Sequence, residues 1–256
     1  TAGVVHEECF EGVAARSISE LVNPDYVVIG EASGLNIKTG QRGRAEILLE
    51  TFGKAAHSAN PEKGVNAVKK MCRLISELDK LQPPVHEQLG KGIMEVTDII
   101  SSPYPGASVV PEYCRATLDR RLLTGETKES VLAPVKELIA RLEKEDPQFS
   151  AKASFSVGKE KCYTDAEIQG ERFFPGWYYD PKEDYIQKIL GKVREAGYDP
   201  ELTQYSFCTN GSHYAGEKGI PTIGLGPSHT VDEYVELTQL FGGVECYYAV
   251  MEALLL

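Results

Sequence analysis

The order of elements in the middle of the chain constrains the fold most. After Gln41-Arg42-Gly43-Arg44, the run AEILLETFGK alternates apolar and polar residues like a half-exposed strand. GVNAVKKMCRLISELDKL (64–81) then spaces its apolar residues along one helical face. GIMEVTDIISS and ASVVPEYCRATLDRRL read as two more strands, ESVLAPVKELIARLEKE (129–145) as a second amphipathic helix, and SAKASFSV as a closing strand. This β-α-β-β-α-β order predicts a split βαβ sandwich of the ferredoxin-like kind.

The flanks follow another pattern. VVHE (4–7) and YVVIG (26–30) read as buried strands around the helical stretch CFEGVAARSISELV, a β-α-β unit of the sort found in parallel sheets. Towards the other end, DPKEDYIQKILGKVREAG predicts a helix stopped by Gly197. LTQYSF and GIPTIGLG predict strands, and LFGGVECYYAVMEALLL a final helix. The chain is therefore expected to be α/β, with residues 1–40 and 158–256 forming one discontinuous domain and residues 41–157 a second domain inserted into it.

Charge and composition exclude several roles. The 256 residues carry 27 basic and 38 acidic side chains, a net charge of -11, which opposes binding to nucleic acid or anionic lipid. No apolar stretch approaches the ~20 residues of a membrane-spanning helix. TAGVVHEE lacks the basic and apolar regions of a signal peptide, and six cysteines stand apart without a C-x-x-C spacing. A cytoplasmic protein with reduced thiols is the expectation.

Three segments place chemistry at strand ends. Glu7 and Glu8 follow VVH, Glu31 follows YVVIG, and His229 follows TIGLGPS. Acids before a helix also complement its positive dipole end, which accounts for Glu7 and Glu8 without any ligand. Ligands nevertheless bind beyond strand ends in open α/β sheets, and two carboxylates with an imidazole are metal-binding groups in outline. Adjacent glutamates can divide the labour, one holding metal while the other takes a proton from metal-bound water.

Together these stretches resemble the zinc hydrolases that include aminoacylase, acetylornithine deacetylase, succinyl-diaminopimelate desuccinylase and the glutamate-releasing carboxypeptidases. VVHEE is similar to that family's Glu-Glu segment, GEAS to its acidic ligand, and FGKAAHSANPEKGVNA to its lid segment. VVPEYCRATLDRR is similar to its substrate-binding strand and GPSHTVDEYV to its terminal histidine motif. Through GQRGR, AHSANPEKG and LDRR the chain most resembles the branch of selenium-metabolism-linked hydrolases.

The resemblance implies a three-layer, mostly parallel-sheet catalytic domain, here incomplete, carrying a ferredoxin-like lid through which the protein forms a homodimer. It implies Glu7 as general base, Glu8 and His229 as ligands of one metal, and Glu31 as ligand of the other. The two divalent ions are expected to be zinc, with cobalt and manganese as alternatives. His57 resembles the histidine that reaches a partner's active site and steadies the oxyanion; read without the family, it is a loop residue beside Pro61. Arg121 lies two residues after Asp119, on the same strand face, and resembles the arginine that grips a substrate carboxylate; a solvated strand edge is the plain alternative. Ser108 and the loop Thr209-Asn210-Gly211 correspond to substrate contacts. The implied reaction is hydrolysis of an amide bond in a small peptide or N-acyl amino acid with a free carboxylate.

Departures from the pattern give the alternatives. Thr1 stands immediately before the Glu-Glu segment, where the family has a preceding part with a His-x-Asp motif and a bridging aspartate, so metal binding is expected to be partial or absent. Only Ser228 separates Pro227 from His229, and Ser108 replaces the usual asparagine. An inactive fragment or non-catalytic dimeric scaffold is the second reading. A thiol hydrolase using Cys208 with His213 is the third.

Overall fold

Strict alternation in the chain from 43 to 52 builds the centre of the larger sheet. Every second residue of β3 (Gly43–Phe52) is buried, including Ala45, Ile47 and Leu49. The computed structural model describes residues 1–228 and 234–255. Along the chain, α1 (Val13–Val22), β1 (Val27–Ile29) and β2 (Ile37–Gln41) precede β3. Next come β4 (Ala56–His57), α2 (Ala67–Leu78), β5 (Val85–His86), β6 (Gly90–Lys91), β7 (Ile93–Ser102), β8 (Val109–Val110) and β9 (Tyr113–Leu122). α3 (Lys128–Glu145), β10 (Ala151–Phe155), β11 (Val157–Lys161), β12 (Glu167–Glu171), β13 (Phe173–Phe174) and β14 (Trp177–Tyr178) follow. The last elements are α4 (Asp184–Glu195), β15 (Leu202–Tyr205), β16 (Thr222–Gly224) and α5 (Leu237–Leu255).

The larger sheet is antiparallel in the order β10-β3-β9-β7, and β13 continues along the β3 edge that β10 occupies. α2 and α3 cover one face, driving Met71, Leu74, Leu78, Leu138 and Leu142 against Ile47, Leu49, Ala116 and Leu118. Each large apolar side chain so buried contributes about 1.5–3 kcal/mol. Both helices start at a polar cap: Asn66 Oδ1 accepts from the Lys69 N–H, and Thr127 and Ser130 satisfy each other's backbone reciprocally. This two-layer unit matches the predicted β-α-β-β-α-β order.

The second sheet joins β1, β16, β2 and β14 in that order, with β15 also on β2. Its pairings are mixed: β1 with β16 and β15 with β2 run parallel, while β16 and β14 run antiparallel to β2. Val28 faces the core formed by α4 and α5, whereas Val27 and Ile29 face Ala15 of α1 and Tyr214. That alternation puts helices on both sides of the sheet, giving three layers. α5 buries Cys246, Ala249 and Val250 and leaves Leu240, Phe241, Val244, Tyr248 and Met251 exposed. No described helix is long and apolar enough to cross a membrane.

The structure departs from the sequence reading at two places. Residues 4–7, expected as a strand, form none: no described neighbour pairs with them, and the chain turns as Cys9 and Phe10 N–H bond back to the His6 carbonyl. A strand needs a partner for its backbone groups, and among the described residues β1 pairs with β16 alone, its outer edge not taken up by residues 4–7. By pairing, the chain passes back between the sheets at Phe174–Trp177, beyond the expected crossing near 158, because β13 still bonds to β3. The two crossings touch there. A Cβ on Gly43 would lie 2.3 Å from both Gly176 N and Phe174 O, so glycine alone fits.

Candidate active site

Glu7 lies on the turn that leads into α1, not at a strand end as expected. Gly12 starts that helix with φ +87, and a Cβ there would meet His213 Cβ at 3.0 Å. Both the backbone sign and the space demand glycine. The Gly12 N–H donates to Asn210 Oδ1 at 2.8 Å, tying the turn to the loop after β15.

A cleft of about 520 Å³ opens between this turn and β1, walled by Val4, Glu7, Val27, Ile29, Glu31, Asn210 and Tyr214. Glu7 and Glu31 therefore meet at one rim. Burial first, then the negative charges of Glu31, Glu11 and Glu8, push the Glu7 carboxyl up to about 8, against a hydrogen bond from the Asn210 backbone. Glu7 Oε1 is buried without a hydrogen-bond partner. Glu8, next in the chain, is exposed. His229 lies outside the described residues.

The fit of a metal ion can be judged on these groups. Crowded carboxylates and an unpartnered buried oxygen are what a divalent cation would offset, and oxygen donors suit such ions. Among the described residues, however, no three His, Cys, Asp or Glu side chains gather closely enough to hold one. Glu8 and Glu31 are right in kind and too few by themselves.

The other predicted residues divide into three groups. Arg121 Nε is 2.9 Å from Asp119 Oδ1, with the arginine 31% exposed, and its charge acts on Glu11 and Cys208. It thus flanks the same turn. Asn210 lines the cleft, but its neighbours face inward. Thr209 is fully buried, its hydroxyl donating to Gln41 Oε1 at 2.6 Å and accepting from the Gly211 N–H at 3.0 Å. Gly211 is packed so that a Cβ would sit 2.8 Å from Trp177 Nε1. His57 and Ser108 stand together elsewhere: β4 pairs with β8, the Ser58 N–H donates to the Ser108 carbonyl, and neither residue lines the cleft. Both are exposed, and Ser108 holds φ 56.

The Cys208–His213 reading is overturned. His213 Nε2 lies 2.7 Å from Ser19 Oγ and Nδ1 2.7 Å from Glu217 Oε2, so its ring joins α1 to the 212–217 turn. Burial raises the Cys208 thiol well above its usual range, the reverse of an activated nucleophile.

Sequence reasoning missed Glu11 and Arg44. Glu11 is 5% exposed, and Arg44 Nη1 lies 3.1 Å from its Oε1. Their only signal was position: CFEG directly after Glu7-Glu8, and GQRGR at the crossing into β3.

Comparison with known proteins gives a family. Residues 39–147 match the model of the M20 peptidase dimerisation domain. Protein YgeY of Escherichia coli K12, itself uncharacterized, is 33% identical over 231 residues, covering 88% of this chain and 56% of the relative. An acetylornithine deacetylase of Buchnera aphidicola is 25% identical over 230 residues, 85% of this chain and 54% of the relative. The M20 family metallo-carboxypeptidase Sso-CP2 of Sulfolobus solfataricus has the same fold at a TM-score of 0.69 and 13% identity, covering 97% of this chain and 68% of that one. The chain spans a little over half the length of the curated relatives it matches.

Proposed function

We propose that this chain, which belongs to the M20 family of peptidases and deacylases, acts in its full-length protein as a metal-dependent amidohydrolase. The substrate is a dipeptide or N-acyl amino acid with a free carboxylate. One observation carries the reading: Glu7 presents a buried, unpartnered carboxyl oxygen at a cleft that Glu31 and Asn210 also line.

In this reading Glu8, Glu31 and His229 would be this chain's share of the ligands for two divalent ions, zinc being the proposed metal, and the ions when bound would supply an acidified water. Glu7 accepts the proton of the attacking water and later passes it to the leaving nitrogen. Its half-buried position favours the uncharged form after transfer. Arg121, kept in place by Asp119, holds the substrate carboxylate through its planar fork. His57 steadies the oxyanion in the partner subunit of a homodimer formed through the domain of residues 41–157. In support, His57 Nδ1 accepts from the Ala59 N–H at 3.1 Å, which leaves Nε2 of the neutral ring as an N–H donor on an exposed side chain. The tautomer follows from that hydrogen bond.

The test uses the full-length protein, N-acetyl amino acids and dipeptides, with elemental analysis alongside. Glu7→Gln should lower kcat at least ~10²-fold, the usual worth of a general base, while metal content stays at the parent level. Glu31→Gln should lose metal. A Glu7→Gln protein that keeps kcat within a few-fold of the parent would refute the assignment.

A further inference from the structure

Arg44 carries no role in the chemistry above, yet it stands between two residues that do. From the start of β3 its Nη1 reaches Glu11 Oε1 at 3.1 Å and its Nε reaches Asp119 Oδ2 at 3.1 Å. The other oxygen of Asp119 lies 2.9 Å from Arg121 Nε. Glu11, Arg44, Asp119 and Arg121 thus form one continuous line of charge-assisted contacts from the turn of Glu7 to the arginine on β9. Side-chain exposure along its inner members is 7% for Glu11, 19% for Arg44 and 13% for Asp119, so water screens little of it.

A second arginine holds the same turn. Arg172 donates to the Cys9 carbonyl at 3.2 Å and lies over the Phe10 ring at 5.0 Å. The turn carrying Glu7 is thus gripped from the side of the larger sheet; Arg172 also lies 3.5 Å from Glu46 Oε2, which Arg44 Nη2 approaches at 3.7 Å, so Arg44 is the member through which both arginines connect to Asp119 and Arg121. A guanidinium offers donors at fixed angles, so engaging two carboxylates through separate nitrogens fixes their separation; an ammonium, as a point charge, cannot do this.

We propose that Arg44 is a positioning residue for substrate selection. By holding Glu11 and Asp119 together it sets the span between the arginine that binds the substrate carboxylate and the glutamate that takes the proton. The inference rests on the roles given above to Arg121 and Glu7. Its consequence is specific: loosening Arg44 costs discrimination for a carboxylate, beyond any general loss of rate.

The experiment compares, in the full-length protein, kcat/KM for an N-acetyl amino acid with kcat/KM for its carboxamide. Arg121→Ala should lower the carboxylate-to-carboxamide ratio strongly. Arg44→Lys should lower the same ratio about tenfold, the worth of roughly one charge-assisted hydrogen bond. Because a bare Arg44 deletion would leave Glu11 buried alone, the double variant Arg44→Met with Glu11→Gln is measured alongside, and the ratio should fall there too. A residue that merely stabilised the fold would lower both activities by one factor. An unchanged ratio in both Arg44 variants, with the ratio lowered by Arg121→Ala, would overturn the inference and leave the reading of Arg121 standing. An unchanged ratio in Arg121→Ala would overturn that reading, and the inference with it.

Discussion

Replacing Thr209 by valine keeps the outline of the side chain and deletes only its hydroxyl. That hydroxyl is fully buried, donates to Gln41 Oε1 at 2.6 Å and accepts from the Gly211 N–H at 3.0 Å. Valine leaves one buried acceptor and one buried donor unpaired, at about 1–3 kcal/mol each, so the expected loss is about 2–6 kcal/mol. At about 2–4 °C per kcal/mol for a protein of this size, that lowers Tm by about 4–24 °C. Thr209→Ser, which retains the hydroxyl, should recover most of the loss. Urea and thermal unfolding measure the effect, and kcat/KM of the fraction still folded should stay within a few-fold of the parent. Resemblance alone makes Thr209 a substrate contact, and the two views part here. A Thr209→Val protein as stable as the parent but a hundredfold less active would show that the hydroxyl faces substrate and does not brace the loop.

Two further outcomes follow from the geometry. Gly43→Ala forces a Cβ to within 2.3 Å of Gly176 N and Phe174 O, both backbone atoms that cannot step aside, and should cost about 1–3 kcal/mol or more in denaturant unfolding; a neutral result would mean the crossings are not packed as described. Glu217 gives an acid-side dependence: burial alone would raise its carboxyl, but hydrogen bonds from Arg16 and His213 outweigh this and hold it below its usual 4.5. A depressed carboxylate contributes stability that is present above about pH 4.5 and lost as pH falls through the lower folded value. Glu217→Gln should therefore flatten the stability–pH curve below that point, and a slope equal to the parent's would rule the contribution out.

Much of the fold could be read from periodicity. Apolar spacing marks α2, α3, α4 and α5, and alternation marks β3 and β9, because each of these elements buries one face against a neighbour that demands it. Residues 4–7 show where periodicity stops being informative. VVH has the composition of a strand, but strand formation depends on a partner's free backbone groups, which composition does not reveal. The β11–β12 hairpin escaped for the opposite reason: half of its strand residues are charged, and its inward-facing positions include Gly158 and Ile168, against Phe10, and Gly170, against Val13. At the site, motif order singles out Glu7 and Glu31, which the fold brings to one cleft. The Glu11–Arg44 pair was not legible, since 33 positions and a helix, two strands and a crossing separate its members in the chain. His229, the third metal ligand implied by the motifs beside Glu8 and Glu31, lies outside the described residues.

The paired glycines at the crossings bear on mechanics. Two peptide segments passing side by side form a ribbon, and a ribbon bends readily across its flat face while resisting torsion and in-plane shear. With Gly43 and Gly176 in van der Waals contact, neither segment can slide past the other without a steric penalty. The Glu11–Arg44 pair adds a second tie between the turn before α1 and β3, so the waist and one guanidinium both resist displacement of one unit against the other.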